Sequence, residues 1–328
     1  MKILFFNAKP YDKIWFKPLA EQMNYQIKFR SVRLDEDSAG LAKGYDAICA
    51  FVNDDLNKNV INELIDAGIK GILMRCAGYN NVDLEAAKGK LKILRVPGYS
   101  PEAVAEFAMA QILTVNRQTH RAYVRIRDFN MNINGLMGEN LYQKTIGIVG
   151  TGRIGQAMIR ICRGFGMKIL AYDLYPNESL DVEYVKLDQL FRESDIISLH
   201  CPLTDDSRYM INEDSLKIMK DGVYIMNTSR GELIRTEDLL EALRVPGKIG
   251  GVGLDVYEEE EELFYEDRSN EIMTDDMLAR LVTFPNVLVT SHQGYFTKEA
   301  MREIAHVTME NAKALEEGRD NGNEVISS

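Results

Sequence analysis

The chain has 328 residues, 45% of them hydrophobic, and a formal charge of −11, with a sequence pI near 5.1. That length exceeds what one hydrophobic core usually serves, so two domains are expected. The acidic balance argues against nucleic acid as a partner, because neutralising phosphates takes clustered Lys and Arg, and no stretch is apolar for long enough to span a bilayer.

The amino-terminal run from Met1 stops at Asn7, without the longer apolar region of a secretory signal. Cys49, Cys76, Cys162 and Cys201 form no C-x-x-C pair and read as small reduced core residues, so the expected location is cytoplasmic. Strand-like runs at Lys2–Asn7, Tyr25–Phe29, Ala47–Val52, Gly71–Arg75 and Lys92–Val96 alternate with helical patterns, which is βαβ rhythm. Between them, Asn57–Ala67 carries Val60, Ile61, Leu64 and Ile65 at helical spacing, a stripe that can cover one face of a parallel sheet.

From Pro101 the spacing predicts one long helix, with Val104, Phe107, Ala108, Ile112 and Val115 on one face, continuing through Arg125 and linking two domains. Six strand-like runs follow, at 145–149, 168–172, 195–199, 223–226, 250–254 and 287–290, which suits a Rossmann sheet. Thr297–Leu315 is helical again, and its Met301, Ile304, Ala305 and Thr308 face can pack back on the first domain. The expected fold class is therefore α/β, with two doubly wound Rossmann-like domains built on parallel sheets. The first comprises residues 1–100 and 297–328 and is discontinuous; the second comprises residues 101–296.

The run Thr145–Val149 enters a turn in which Gly150, Gly152 and Gly155 stand at dinucleotide-binding spacing around Arg153 and Ile154. Gly150 permits the tight turn, Gly152 lets backbone approach a pyrophosphate, and Gly155 lets the next helix pack close to its strand. A second apolar run ends at Asp173, near the expected twenty-residue offset, where a carboxylate can accept from an adenosine ribose and repel a 2′-phosphate. No Arg or Lys follows within Leu174–Asn177, which favours NAD over NADP.

Ligands of open parallel sheets bind beyond the carboxyl ends of the strands. In the second domain those ends carry Gly150, Asp173, His200-Cys201-Pro202, Asn227-Thr228-Ser229-Arg230, Asp255 with the run Glu258–Glu262, and Ser291-His292. His292 is the candidate proton shuttle, because it directly follows a strand while His120 and His306 lie in helical patterns and His200 lies beside the cofactor turn. Arg230 offers a planar fork that matches a carboxylate and can polarise an adjacent carbonyl, as a 2-oxo acid requires. One glutamate of the run 258–262 can hold the His292 imidazole and favour its charged form. Physics alone does not select which, and most of the run reads as solvated loop.

These motifs, with Arg75–Asp83, Val96–Pro101, His200–Thr204, Gly253–Tyr257 and His292-Gln293, resemble the NAD-dependent D-2-hydroxyacid dehydrogenases over nearly the whole length, in particular their D-lactate dehydrogenase branch. The resemblance implies Arg230 as substrate anchor, His292 as general acid/base and Glu260 as its partner. It implies that the Ala77 and Gly78 amides, with Tyr99, hold the substrate carboxylate, and that Asp255 lies near the nicotinamide amide. The expected cofactor group is Gly150, Gly152, Arg153, Ile154, Gly155, Asp173, His200, Cys201, Pro202, Thr228, Ser229 and Asp255, with no metal. Gly98 and Gly294-Tyr295 depart from the family's Ala and Ala-Phe, which puts side-chain preference in question, with Phe51, Tyr295 and Phe296 as candidate walls. The resemblance makes residues 1–100 and 297–328 a flavodoxin-like substrate domain that closes over an NAD-binding domain, 101–296, hinged near residues 100 and 296.

The expected activity is reversible NADH-dependent reduction of pyruvate to D-lactate by a homodimer or dimer of dimers. The alternatives are a larger 2-oxo acid such as 2-oxoisocaproate or phenylpyruvate, hydroxypyruvate or glyoxylate reduction, formate oxidation on a related scaffold, and an NAD-sensing binding protein of the same fold.

Overall fold

The computed structural model describes residues 1–260, 263–265 and 267–325. Two compact units result: Met1–Ser100 with Phe296–Ser328, and Pro101–Tyr295.

The first unit is built on five parallel strands, β1 (Lys2–Phe5), β2 (Gln26–Phe29), β3 (Ala47–Ala50), β4 (Gly71–Met74) and β5 (Lys92–Leu94), in the order β2-β1-β3-β4-β5. This is the flavodoxin-like order. β3 and β4 are buried along their whole length, as strands covered by helices on both faces must be. The helix Lys58–Asp66 starts where the Asn57 side chain accepts the Asn59 and Val60 amides, and it buries Val60, Ile61 and Leu64. At the other end of the chain, Thr297 caps the helix Lys298–Glu317, which ends at the left-handed Gly318. Its buried face includes Met301, Ile304, Ala305 and Thr308, and it packs against the helix Pro10–Gln22. Removing such apolar side chains from water contributes roughly 1.5–3 kcal/mol each, so the sequence-distant helix belongs to this core. Tyr25 Oη also donates to Glu316 at 2.6 Å.

The second unit holds seven parallel strands: β6 (Thr145–Val149), β7 (Lys168–Tyr172), β8 (Glu183–Tyr184), β9 (Ile196–Leu199), β10 (Val223–Asn227), β11 (Ile249–Leu254) and β12 (Val287–Val289). Their order is β12-β11-β10-β9-β6-β7-β8, so the chain direction across the sheet reverses between β6 and β9. β8 is the strand absent from the six-run reading, because two residues at a sheet edge carry no periodicity. The helix Arg153–Gly164 buries Ala157, Met158, Ile159 and Cys162 in a cluster shared with Ile146 and Ile148 of β6.

The single long helix expected from Pro101 is instead two helices, Pro101–Arg117 and Thr119–Arg127. Gln118 adopts φ 54° between them. The first buries an apolar face, while the second has no buried residue. Packing therefore holds the first helix and gives the second nothing to lie on, and neither Gly nor Pro marks the break.

Candidate active site

The cofactor turn follows β6. Gly150 has φ +92°, and a Cβ there would lie 2.6 Å from the His200 carbonyl oxygen; a Cβ on Gly155 would lie 2.0 Å from the Gly150 oxygen. Both positions therefore admit only glycine. Gly152 caps the helix Arg153–Gly164 with no side-chain hydrogen bond, leaving amides of the first turn, including those near Arg153 and Ile154, without a side-chain cap. Asp173 Oδ2 accepts the Thr151 amide at 2.6 Å and the Thr151 hydroxyl at 2.9 Å, and Oδ1 accepts the Tyr175 amide at 2.9 Å. Burial pushes the Asp173 carboxyl up, but the bonds from Thr151 and Tyr175 outweigh it and hold the group below its usual range.

At the ends of β9 and β10, His200 Nδ1 and Thr228 Oγ1 are buried polar atoms without a hydrogen-bond partner. Such atoms are rare in a folded chain and call for a ligand. A bare helix amino terminus, an anionic carboxylate beside it and two orphaned polar atoms on adjacent strand ends fit a dinucleotide. His200 Nε2 lies 2.9 Å from Ser198 Oγ, and burial pushes its pKa down to about 4. It is neutral at pH 7. Burial pushes the Cys201 thiol up to about 11, the Pro202 carbonyl accepts from Ser207 Oγ at 2.8 Å, and Ser229 Oγ donates to the Leu199 carbonyl at 2.8 Å.

The chemistry gathers at the carboxyl ends of the adjacent strands β10, β11 and β12. His292 Nδ1 is 2.7 Å from Glu260 Oε1, and Glu260 Oε2 accepts the Tyr257 amide at 2.9 Å. The imidazole and carboxylate are about one-fifth exposed, at 21% and 19%. His292 has φ 51°, a left-handed backbone, and its amide donates to the Asp255 carbonyl at 2.7 Å. Asp255 Oδ1 accepts the Thr290 hydroxyl at 2.6 Å and the Gln293 amide at 2.9 Å, while Oδ2 accepts the Gly294 amide at 2.7 Å. Burial raises the Asp255 carboxyl, and those three bonds oppose the rise. Arg230 stands on the β10 loop, where Asn227 Nδ2 donates to its carbonyl at 2.8 Å and its own Nη1 donates to the Ser229 carbonyl at 2.6 Å.

A family profile for the NAD-binding domain of D-isomer-specific 2-hydroxyacid dehydrogenases matches residues 109–294. The D-lactate dehydrogenase of Escherichia coli is 48% identical over 99% of this chain and 100% of its own length. The chain belongs to the D-isomer-specific 2-hydroxyacid dehydrogenase family. Among solved structures, one described as the pyruvate reductase of Chlamydomonas reinhardtii superposes with a TM-score of 0.93 at 41% identity, covering 98% of each chain. A D-2-hydroxyisocaproate dehydrogenase superposes at 0.88 with 32% identity over 100% of each chain. This dehydrogenase is accordingly an NAD oxidoreductase with the two-domain α/β fold of its family.

In the first unit of the dehydrogenase, the loop after β4 carries Ala77 and Gly78. Arg95 Nη1 donates to the Ala77 carbonyl at 3.0 Å, and Cys76 Sγ donates to the Gly78 carbonyl at 3.3 Å. Arg75, buried just before them, donates to the Asn7 carbonyl at 3.0 Å and lies 4.2 Å from the Phe51 ring centroid. Phe51 is thus core beneath that loop. Tyr99 is half-buried and Tyr295 buried, and Phe296 meets Tyr11 edge-on at 4.7 Å.

Sequence reasoning missed the supports of the site. Thr290, Gln111, Tyr257 and Tyr265 bind the His292 and Glu260 turns: Gln111 Nε2 donates to Thr290 Oγ1 at 3.0 Å, and Tyr265 Oη donates to the His292 carbonyl at 3.2 Å. Thr290, two residues before His292, and Tyr257, at the end of the motif Gly253–Tyr257, had a positional signal. Of the glutamate run, Glu258 and Glu260 are hydrogen-bonded rather than solvated, and Glu261 and Glu262 lie outside the described residues. Among the described residues no cluster of three or more His, Cys, Asp or Glu can hold a metal, and no helix is long and apolar enough to cross a membrane.

Proposed function

We propose that the chain is a D-lactate dehydrogenase that reduces pyruvate to D-lactate and runs the reaction in reverse. The observation that carries this reading is the 2.7 Å contact of His292 Nδ1 with Glu260 Oε1, at the carboxyl end of the sheet that bears the cofactor turn. When bound, NADH supplies the hydride that reaches the C2 carbonyl carbon.

With Nδ1 taken by Glu260, the His292 Nε2 is left to hold the transferable proton and pass it to the carbonyl oxygen, converting C=O and H⁻ plus H⁺ into CH–OH. The Glu260 carboxylate orients the ring through its bond to Nδ1. Arg230 holds the substrate anion and steadies charge developing on the carbonyl oxygen. The Ala77 and Gly78 amides and Tyr99 take the carboxylate, Tyr295 contributes to the side-chain wall, and residues 1–100 with 297–328 serve as the substrate domain. Gly150, Gly152, Arg153, Ile154, Gly155, Asp173, His200, Cys201, Pro202, Thr228 and Ser229 hold the dinucleotide. Asp255, with its carboxylate bonded to residues 290–294, supports the His292 turn as well as adjoining the nicotinamide.

Pyruvate is preferred over larger acids because the 48% identical relative is a D-lactate dehydrogenase, whereas the 2-hydroxyisocaproate enzyme stands at 32%. Following NADH absorbance with pyruvate, 2-oxoisocaproate, phenylpyruvate, hydroxypyruvate and glyoxylate, then resolving the product by chiral chromatography, tests the reading. The highest kcat/KM is expected for pyruvate, with D-lactate as product; L-lactate or a preference for phenylpyruvate overturns it.

The enzyme assembles as a homodimer in the cytoplasm. Support for the dimer comes from the segment after Gln118, where Tyr123, Val124, Ile126, Phe129, Met131, Ile133 and Met137 are all exposed, Phe129 by 84% and Met137 by 95%. An apolar surface of this extent calls for a partner. Arg121, Arg125 and Arg127 on the same segment would meet a second copy of a chain whose net charge is −11.

A further inference from the structure

The glutamate run contains a residue that joins two catalytic loops. The Glu258 carboxylate accepts the Thr236 amide at 2.7 Å, in the first turn of the helix Thr236–Arg244. Behind this grip the backbones touch. A Cβ on Gly231, the residue after Arg230, would lie 2.1 Å from the Tyr257 carbonyl carbon and 2.4 Å from the Glu258 nitrogen.

The loop that carries Arg230 and the loop that carries Glu260 are therefore one packed body, with Glu258 as the side chain that spans them. The carboxylate also sits at a helix amino terminus, where its charge is favoured.

We propose that Glu258 is a positioning residue that sets the separation between the Arg230 guanidinium and the Glu260–His292 pair, an inference that rests on the roles given to those three residues above. One group must reach the substrate while the other delivers a proton to it, and a displacement near 1 Å in such a constellation costs up to about a hundredfold in rate. Glu258 contacts no reacting atom; it fixes the span between groups that do.

The test compares wild type, E258A, E258Q and G231A for pyruvate reduction, NADH binding by fluorescence and thermal unfolding. E258A is expected to lower kcat/KM for pyruvate by about ten- to a hundredfold, through both a lower kcat and a higher KM. NADH affinity stays within about twofold, because the Gly150–Gly155 turn is untouched. E258Q keeps an oxygen for the Thr236 amide and recovers most of the loss. G231A pushes the loops apart and reproduces the E258A signature, and the double variant loses no more than the worse single, since both act on one contact.

Wild-type kcat and KM in E258A overturn the proposal, as does a loss matched by equal loss of NADH affinity or of folded protein. Should E258A fail to fold, T236P, which deletes the amide donor to Glu258 at a first helical position that tolerates Pro, decides with the same readouts: a lowered kcat/KM at unchanged NADH affinity supports the proposal, and wild-type values overturn it. A wild-type chain that oxidises NADH with none of the 2-oxo acids overturns the functional reading itself, an outcome separate from a silent E258A in an active enzyme.

Discussion

Asp255 holds the backbone of His292. Its carbonyl accepts the His292 amide at 2.7 Å, and its carboxylate accepts the Gln293 and Gly294 amides at 2.9 and 2.7 Å. The end of β11 thereby fixes a left-handed residue at the end of β12, a conformation that persists only where its surroundings enforce it. D255N replaces one acceptor oxygen by an NH2 that faces amide donors. Each buried bond lost costs about 1–3 kcal/mol, and turnover is expected to fall at least tenfold. Steady-state kinetics of D255N with pyruvate check this; wild-type kcat would show that the turn holds itself.

H292Q removes the proton donor and is expected to lower kcat by about a thousandfold, within the range such groups contribute, with NADH affinity nearly unchanged. E260Q keeps a hydrogen bond to Nδ1 but removes the carboxylate that orients the ring, and its kcat for pyruvate is expected to fall by less than that of H292Q. Steady-state kcat, read beside NADH fluorescence titrations, separates the two variants. Equal kcat for H292Q and wild type is the result that ends the acid/base assignment.

His200 makes stability depend on pH. Burial pushes its pKa from 6.5 down to about 4, so below pH 6.5 the unfolded chain takes up a proton that the folded chain refuses. This contribution is fully present above pH 6.5 and is lost as pH falls toward 4, by up to about 3 kcal/mol. H200Q lacks it, so urea unfolding at pH 7 and pH 4.5 should give a smaller drop for H200Q than for wild type. Identical drops would mean that the ring is accessible to protons in the folded state.

The exposed segment after Gln118 predicts its own variant. Replacing Phe129, Ile133 and Met137 together by Asp puts like charges on the apolar surface, which cannot then be covered by another copy. Sedimentation velocity is expected to show a dimer for wild type and a monomer for the triple variant. A wild-type monomer at micromolar concentration removes the dimer from the account.

Both sheets were legible in the sequence because buried parallel strands are short apolar runs, and every strand but β8 was placed within a few residues of its observed ends. The dinucleotide turn was legible because Gly150 and Gly155 each face backbone that leaves no room for a Cβ, a constraint that writes glycine at fixed spacing. The break at Gln118 left no mark, since neither glycine nor proline occurs there and the helical spacing runs on through it. β8 left none either, because Glu183 and Tyr184 gain strand character only by pairing with Leu170 and Ala171.

Local chemistry thus determined the strands, the cofactor turn and the candidates Arg230 and His292, since periodicity and residue type act over a few neighbours. The resemblance singled out Glu260 from a run of five glutamates, but its contact with the imidazole, the clamp on the His292 turn and the joining of two loops by Glu258 were decided only in three dimensions. Those contacts link residues 22 to 39 positions apart, and separations of that kind are set by strand order in the folded sheet.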